Sequence, residues 1–177
     1  MIKRISVLLV IAGIAFSSFA QGNETKLGHI NVQNLLEMMP EYDSAKKEFQ
    51  KEQRSIQKQI EQMQVELNKK FQEYQQQQDS LTPLLRQSKE EEIRSLQQRM
   101  QSFQRRAQQQ IQKTRQKLFE PVTQKAQNAI DRVAEREGFT YVFDTSAGAV
   151  VYQGNNSIDI LPLVKKELGL SADTEGE

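Results

Sequence analysis

Few residues in this chain have side chains that could perform catalysis or bind a metal. His29 is the only histidine, and there are no cysteines. A lone histidine in a predicted strand is more often a packing or surface residue than a ligand or a general base. The densest run of carboxylates, Glu90 to Glu92, is the kind of charge that stabilises the first turn of a helix. We therefore predict no enzymatic activity, no metal site and no cofactor.

The more informative charged groups form a basic stripe with no acidic residue between its first and last members. The stripe consists of Arg94, Arg99, Arg105, Arg106, Lys113, Arg115 and Lys117. It could bind an anionic or an unfolded polypeptide, or it could be a solvated helix face that a neighbouring helix partly neutralises. The residues around it are mostly glutamine, which fills polar helix positions. The stripe therefore predicts either an anionic or unfolded polypeptide partner outside the cytoplasm, or a solvated face with no dedicated binding site.

The first twenty residues have the pattern of a secretory signal peptide. Lys3 and Arg4 precede an apolar run from Ile5 to Phe16, and small residues lead to a cleavage site after Ala20. The run is too short to span a bilayer as a stable helix. Loss of the two basic residues would change the formal charge from +1 to −1, so net charge does not favour nucleic acid. Export argues against that partner as well.

Two helical runs with narrow apolar stripes predict a long arm over residues 42–118. The turn between them is predicted at Asp79 to Ser88, where Thr82-Pro83 either breaks the first helix or starts the second, and Ser88 and Glu91 resemble a capping box. Two such stripes bury their apolar residues most simply against each other, as an antiparallel coiled coil. The stripe residues are Phe49, Ile56, Ile60, Met63, Leu67, Phe71 and Tyr74 in the first run, and Ile93, Leu96, Met100, Phe103, Ala107, Ile111, Thr114 and Leu118 in the second.

Both ends of the mature chain contribute to a predicted body made of residues 21–41 and 119–170, and residues 171–177 should be a disordered tail. Strands are expected at 26–32, 140–144 and 149–152, with Asn31 and Asp159 as helix caps and Gly138 as a helix stop. A body of roughly 70 residues without disulfides is marginal alone, which favours self-association. The predicted assembly core is Ile30, Val32, Leu35, Tyr141, Phe143, Val150, Leu161 and Val164.

The segments KLGHINVQNLLEMMPE, EPVTQKAQNAIDRVAEREGFTYVFDTSAGAVVY and SIDILPLV resemble the Skp/OmpH family of periplasmic chaperones. The resemblance covers essentially the whole mature chain. It implies an α+β fold in which strands from three subunits form a small β-barrel body. From this body, three helical-hairpin arms would enclose a cavity. It also implies an ATP-independent holdase that binds unfolded outer-membrane proteins there and prevents their aggregation.

Two departures from the family pattern bear on this interpretation. Relatives can be markedly basic, whereas the mature chain is near neutral, which weakens the argument for electrostatic client capture. A lipopolysaccharide site has been suggested for the family's basic arm, and Arg105 with Arg106 is the nearest match here. The alternative hypothesis is an exported coiled-coil spacer or envelope adaptor that binds one folded partner. An exported nucleic-acid binder would instead predict a steep salt dependence of binding.

Overall fold

The computed structural model describes residues 25–170. The predicted signal peptide and the predicted tail lie outside the described residues. The structure is an α+β fold in which long helices dominate and a three-stranded sheet stands at one end, as predicted. In chain order the elements are β1 (Leu27–Ile30), α1 (Val32–Glu37), α2 (Pro40–Gln77), α3 (Pro83–Glu137), β2 (Tyr141–Asp144), β3 (Ser157–Asp159) and α4 (Leu161–Glu167).

Helices α2 and α3 form the predicted helical hairpin. They contain 38 and 55 residues, which correspond to lengths of about 57 and 82 Å at 1.5 Å per residue. Pro40 occupies the first turn of α2. Helix α3 continues through Pro121 from the arm into the body. None of the described helices is long and apolar enough to cross a membrane.

The hairpin turn is shorter than the sequence suggested. Helix α3 begins at Pro83, and the Thr82 side chain accepts a hydrogen bond from the Leu85 amide. The capping box proposed at Ser88 and Glu91 is therefore wrong, because both residues lie inside the helix. Proline fixes a helical φ at the first position and needs no hydrogen-bond partner there, so Thr82-Pro83 starts the helix six residues earlier than a cap at Ser88 would.

The sheet has the order β2-β1-β3, and both pairs of strands are parallel. The strand predicted at residues 149–152 is not formed within the chain: Val151 is 96% exposed and Tyr152 is 86% exposed. A strand needs a hydrogen-bonding partner as well as a suitable composition. Here β2 and β3 occupy the two sides of β1. Strand β3 was missed because its residues had been assigned to a loop and a cap.

The core of the body combines the first helix, the lower part of α3 and the last helix. The buried residues are Ile30, Leu35, Met39, Ala45, Val122, Ala126, Ala129, Ile130, Val133, Ile160 and Val164. Gly28 permits a close approach on the inner face of the sheet, since a β-carbon there would lie 3.1 Å from the Phe139 ring. Gly138 ends α3 in the left-handed conformation at φ 72°, as the sequence predicted.

The arm has a much smaller apolar core, which lies in its outer half. Leu67, Ile93 and Leu96 are buried there, and Tyr74 and Met100 pack against them. Phe71 was assigned to the seam but is 48% exposed. Four residues advance an α-helix by about 400°, which carries Phe71 some 40° past Leu67, whereas a seven-residue step to Tyr74 returns to within about 20°. The stripe prediction is wrong at Phe71 for this reason.

Candidate functional site

The basic stripe lies entirely on α3, and all seven of its side chains are exposed. At 100° per residue, six of the seven fall within about 140° of helix surface; Arg115 is the exception. Within residues 25–170, no stripe cation has an acidic group within 4 Å. The stripe is thus an extended row of solvated charges rather than one convergent site.

The acidic residues nearest the stripe are bound by α2. The Lys70 ammonium lies 2.7 Å from a Glu92 carboxylate oxygen, and the Tyr74 hydroxyl donates a 2.6 Å hydrogen bond to Glu90. The bond from Lys70 lowers the pKa of Glu92, and the bond to Glu90 raises the pKa of Tyr74. The proposed first-turn role of Glu90 to Glu92 is wrong, because α3 begins at Pro83.

A groove of about 900 Å³ separates α2 from α3 where the arm joins the body. Lys113 and Lys117 of the stripe line one side, and Lys51 with Glu48 and Glu52 line the other. Beside the groove, Phe119 packs edge-to-face against Phe49 at 5.8 Å between ring centroids. The base of the arm therefore has mixed charge, in contrast to the rest of α3.

The predicted assembly residues fall on two different sides of the body. Ile30, Leu35 and Val164 are fully buried, and Val32 and Leu161 pack at the edge of the same cluster. Val150 is half-buried outside any strand. Tyr141 is 61% exposed and stacks on the exposed Phe143 ring, 6.2 Å away, on the outer face of the sheet. The single chain therefore leaves this aromatic pair uncovered.

The geometry around His29 does not assemble a hydrolytic triad. Its Nδ1 atom is 2.8 Å from the Ser157 hydroxyl. The neighbouring Asp159 carboxylate instead accepts a 2.9 Å hydrogen bond from the Leu161 amide. Asp159 thus supports the start of α4 as predicted, although the helix cap position itself is Ile160. No cluster of potential metal ligands occurs among residues 25–170.

The long arm, the small sheet and the order of the segments can be compared with known proteins. The family model described as outer membrane protein (OmpH-like) matches residues 26–168. The chain belongs to the OmpH-like family. Members of the OmpH-like family are periplasmic chaperones rather than enzymes, and their partners are outer-membrane proteins. A comparison with curated proteins gave no significant match.

In this OmpH-like chain, Asp144 connects the sheet to the first helix. Its carboxylate accepts hydrogen bonds from the Ser146 hydroxyl and amide at 2.7 and 2.8 Å, and from the Val32 amide at 3.3 Å. Burial opposes ionisation of this carboxyl, but these hydrogen bonds outweigh it and lower its pKa. Asp144 therefore stabilises the body in its ionised form.

Replacement of Asp144 by Asn should lower the free energy of unfolding by about 1 kcal/mol at pH 7. A lowered folded-state pKa gives stability that is present above the ordinary pKa of about 4 and lost as pH falls through the lower value. The difference between wild type and variant should therefore shrink from pH 5 to pH 3. Urea unfolding at several pH values measures this difference in the free energy of unfolding. A difference that grows on acidification would contradict the stabilising role of the ionised Asp144 carboxylate.

Sequence reasoning missed two features of this OmpH-like arm and body. Met39 and Ile160 are fully buried. Met39 directly precedes Pro40 and Ile160 lies two residues before Pro162, so neither was predicted to be a core position. The exposure of Phe71 beside Arg94 was missed because Phe71 was kept in the seam despite the irregular four-residue step from Leu67. Counting the helical angle from Leu67 would have found it.

Proposed function

We propose that this chain is an ATP-independent holdase of the periplasm, which binds unfolded outer-membrane proteins between its arms and prevents their aggregation. The observation that carries the proposal is the arm itself. It is tens of ångströms long, its apolar core is confined to a few residues, and α3 presents seven exposed cations, none of which has an acidic group within 4 Å among residues 25–170. Such a surface offers a large area for contact, and its charges do not converge on a single site that would fix the position of a ligand.

Weak and numerous contacts explain how a client could be retained and later released without a nucleotide. Each exposed charge contact is worth at most about 1 kcal/mol. Several such contacts along one arm act together, because each further contact forms at a high effective concentration. No single contact fixes the client, so it can move along the arm and leave.

The cavity between arms depends on a homotrimer, and three features of the body support self-association. The outer edges of β2 and β3 have no partner strand among residues 25–170. The aromatic pair Tyr141 and Phe143 is uncovered on the outer face. Residues 149–152 have strand composition and lack a partner strand. We propose that this segment pairs with a sheet edge of a neighbouring copy, as family membership would lead one to expect.

Replacement of Tyr152 by Asp should weaken trimer formation at least about tenfold, because a buried interface tyrosine commonly contributes that much or more. The matched control is Gln153→Asp, which adds the same charge on the opposite face of the proposed strand. Light-scattering mass at micromolar concentration measures both variants. A trimeric Tyr152→Asp variant, or a monomeric wild type, would contradict the proposed assembly.

The holdase activity itself can be tested by dilution of a urea-unfolded outer-membrane β-barrel protein into nucleotide-free buffer. Residues 21–177 should suppress turbidity, with saturation near one trimer per client. Absence of suppression by a demonstrated trimer would contradict the proposal. It would favour the coiled-coil adaptor, whose stiff arm is consistent with the Lys70–Glu92 and Tyr74–Glu90 contacts.

An anionic surface such as lipopolysaccharide is a further proposed partner of the stripe. Arg105 and Arg106 are adjacent and exposed, and the Arg105 guanidinium makes only a 3.3 Å hydrogen bond to the Ser102 hydroxyl. Exposed guanidinium groups without acidic partners can bind phosphate in a bidentate manner. Export of the chain by its predicted signal peptide, with cleavage after Ala20, would place the stripe in the compartment where such lipids are present.

A further inference from the structure

The outer half of the arm contains a surface recess that neither the basic stripe nor the seam explains. It has a volume of about 310 Å³ and is lined by Phe71, Tyr74, Glu90, Ile93, Arg94 and Gln97. A closed apolar cavity of about 150 Å³ accommodates benzene. The recess therefore has room for an aromatic side chain together with part of the backbone that carries it.

The walls of the recess differ in chemistry from the rest of the arm. The half-exposed Phe71 ring and the Tyr74 ring come from α2, and the buried Ile93 forms apolar surface on α3. Aromatic rings favour offset-stacked and edge-to-face contacts with other aromatic rings over random apolar contact. Elsewhere on the outer face of the arm, the side chains are mainly Gln, Arg and Lys.

The charges at the rim of the recess indicate what should lie next to the aromatic group. Glu90 is engaged by the Tyr74 hydroxyl at 2.6 Å. Arg94 has no acidic group within 4 Å in the part of the chain that the structure describes. An unpaired guanidinium beside an aromatic pocket is complementary to a carboxylate. The Gln97 amide at the same rim can donate to and accept from a peptide backbone.

From this geometry we propose that the recess is a docking subsite for an aromatic side chain of an extended polypeptide with an acidic residue next to it. The inference rests on the proposed holdase function. It gives the arm one site that prefers an aromatic residue with an acidic neighbour, in addition to many weak contacts without such a preference. A client would be anchored there briefly while the cations of the stripe hold the remainder of its chain.

The test uses a labelled Gly/Ser peptide that contains one Phe-Asp pair, and it measures the dissociation constant by fluorescence anisotropy with the mature chain. Phe71→Ala should weaken binding about three- to tenfold, and Arg94→Gln should weaken it about two- to fivefold. The controls are Val65→Ala and Arg54→Gln, which alter an exposed apolar and an exposed basic residue of α2 outside both the recess and the stripe. Both controls should bind as the wild type does.

Two altered peptides assign the contacts to the proposed partners. A Phe-Asn peptide should bind the wild type as weakly as Phe-Asp binds Arg94→Gln, and the two peptides should bind that variant equally. A Leu-Asp peptide should bind the wild type as weakly as Phe-Asp binds Phe71→Ala, and the two peptides should bind that variant equally. Loss of affinity in the controls equal to that in the recess variants, or no measurable peptide binding, would overturn the subsite. Turbidity suppression measured in parallel reports separately on the holdase proposal.

Discussion

Replacement of the seven stripe cations by glutamine should weaken retention of an unfolded outer-membrane protein by about a hundredfold. Seven contacts of a few tenths of a kcal/mol each, partly screened by salt, sum to roughly the 2.7 kcal/mol that this factor requires. Glutamine preserves helix propensity and hydrogen-bonding capacity, so the variant tests charge alone. Dissociation of a labelled client, followed at fixed ionic strength, measures the effect.

The chain offers a control with the same change in net charge. Helix α2 also carries seven basic residues, namely Lys46, Lys47, Lys51, Arg54, Lys58, Lys69 and Lys70. They are interspersed with acids, and Lys47, Lys69 and Lys70 form ion pairs. Their replacement by glutamine should affect retention far less. Equal losses in the two variants would show that net charge, rather than the stripe on α3, governs binding.

The stripe variant should remain as stable as the wild type, within about 0.5 kcal/mol, because exposed and unpaired side chains contribute little to folding. This separates a loss of binding from a loss of structure. Urea unfolding followed by circular dichroism provides the comparison. A large loss of stability would mean that the stripe packs within the assembly and is not available to clients.

Replacement of Leu35 by Ala should destabilise the body by about 2–5 kcal/mol, since Leu35 is fully buried and its truncation leaves a cavity. The loss is large relative to the stability of a small body, so part of the population should be unfolded at moderate temperature. Urea unfolding at a fixed protein concentration measures the change, because association also contributes to stability.

Leu84→Ala is the matched control for this substitution. Leu84 is a leucine of the first turn of α3 that is 76% exposed, and its truncation should change stability by less than about 0.5 kcal/mol. If Leu35→Ala and Leu84→Ala unfold at the same urea concentration, the packing described for the body does not carry its stability.

Local signals in the sequence predicted most of the helix boundaries. Asn31 caps α1 by accepting a 2.9 Å hydrogen bond from the Asn34 amide, and Gly138 ends α3 where a left-handed residue is required. Pro40 and Pro162 occupy first turns, where a missing amide hydrogen costs nothing. These features depend on a few adjacent residues, which explains why they could be recognised without a structure.

The strands were harder to predict because a strand depends on a partner that is distant in sequence. Residues 149–152 have the composition of a strand but pair with no strand in the described part of the chain. Ser157–Asp159 have an ordinary loop composition and yet pair with β1. The site shows the same limit: the stripe is evident from charge alone, whereas the recess at Phe71 and Arg94 requires the relative rotation of two helices.

The state of a bound client tests the central proposal most directly. The chain has no tryptophan, so the tryptophan fluorescence of an outer-membrane protein reports on the client alone. After dilution from urea without nucleotide, we expect a soluble complex of three chains and one client. The tryptophan emission of the client should stay red-shifted, as in the unfolded state. A client that aggregates, or that is bound only after it has folded, would contradict it.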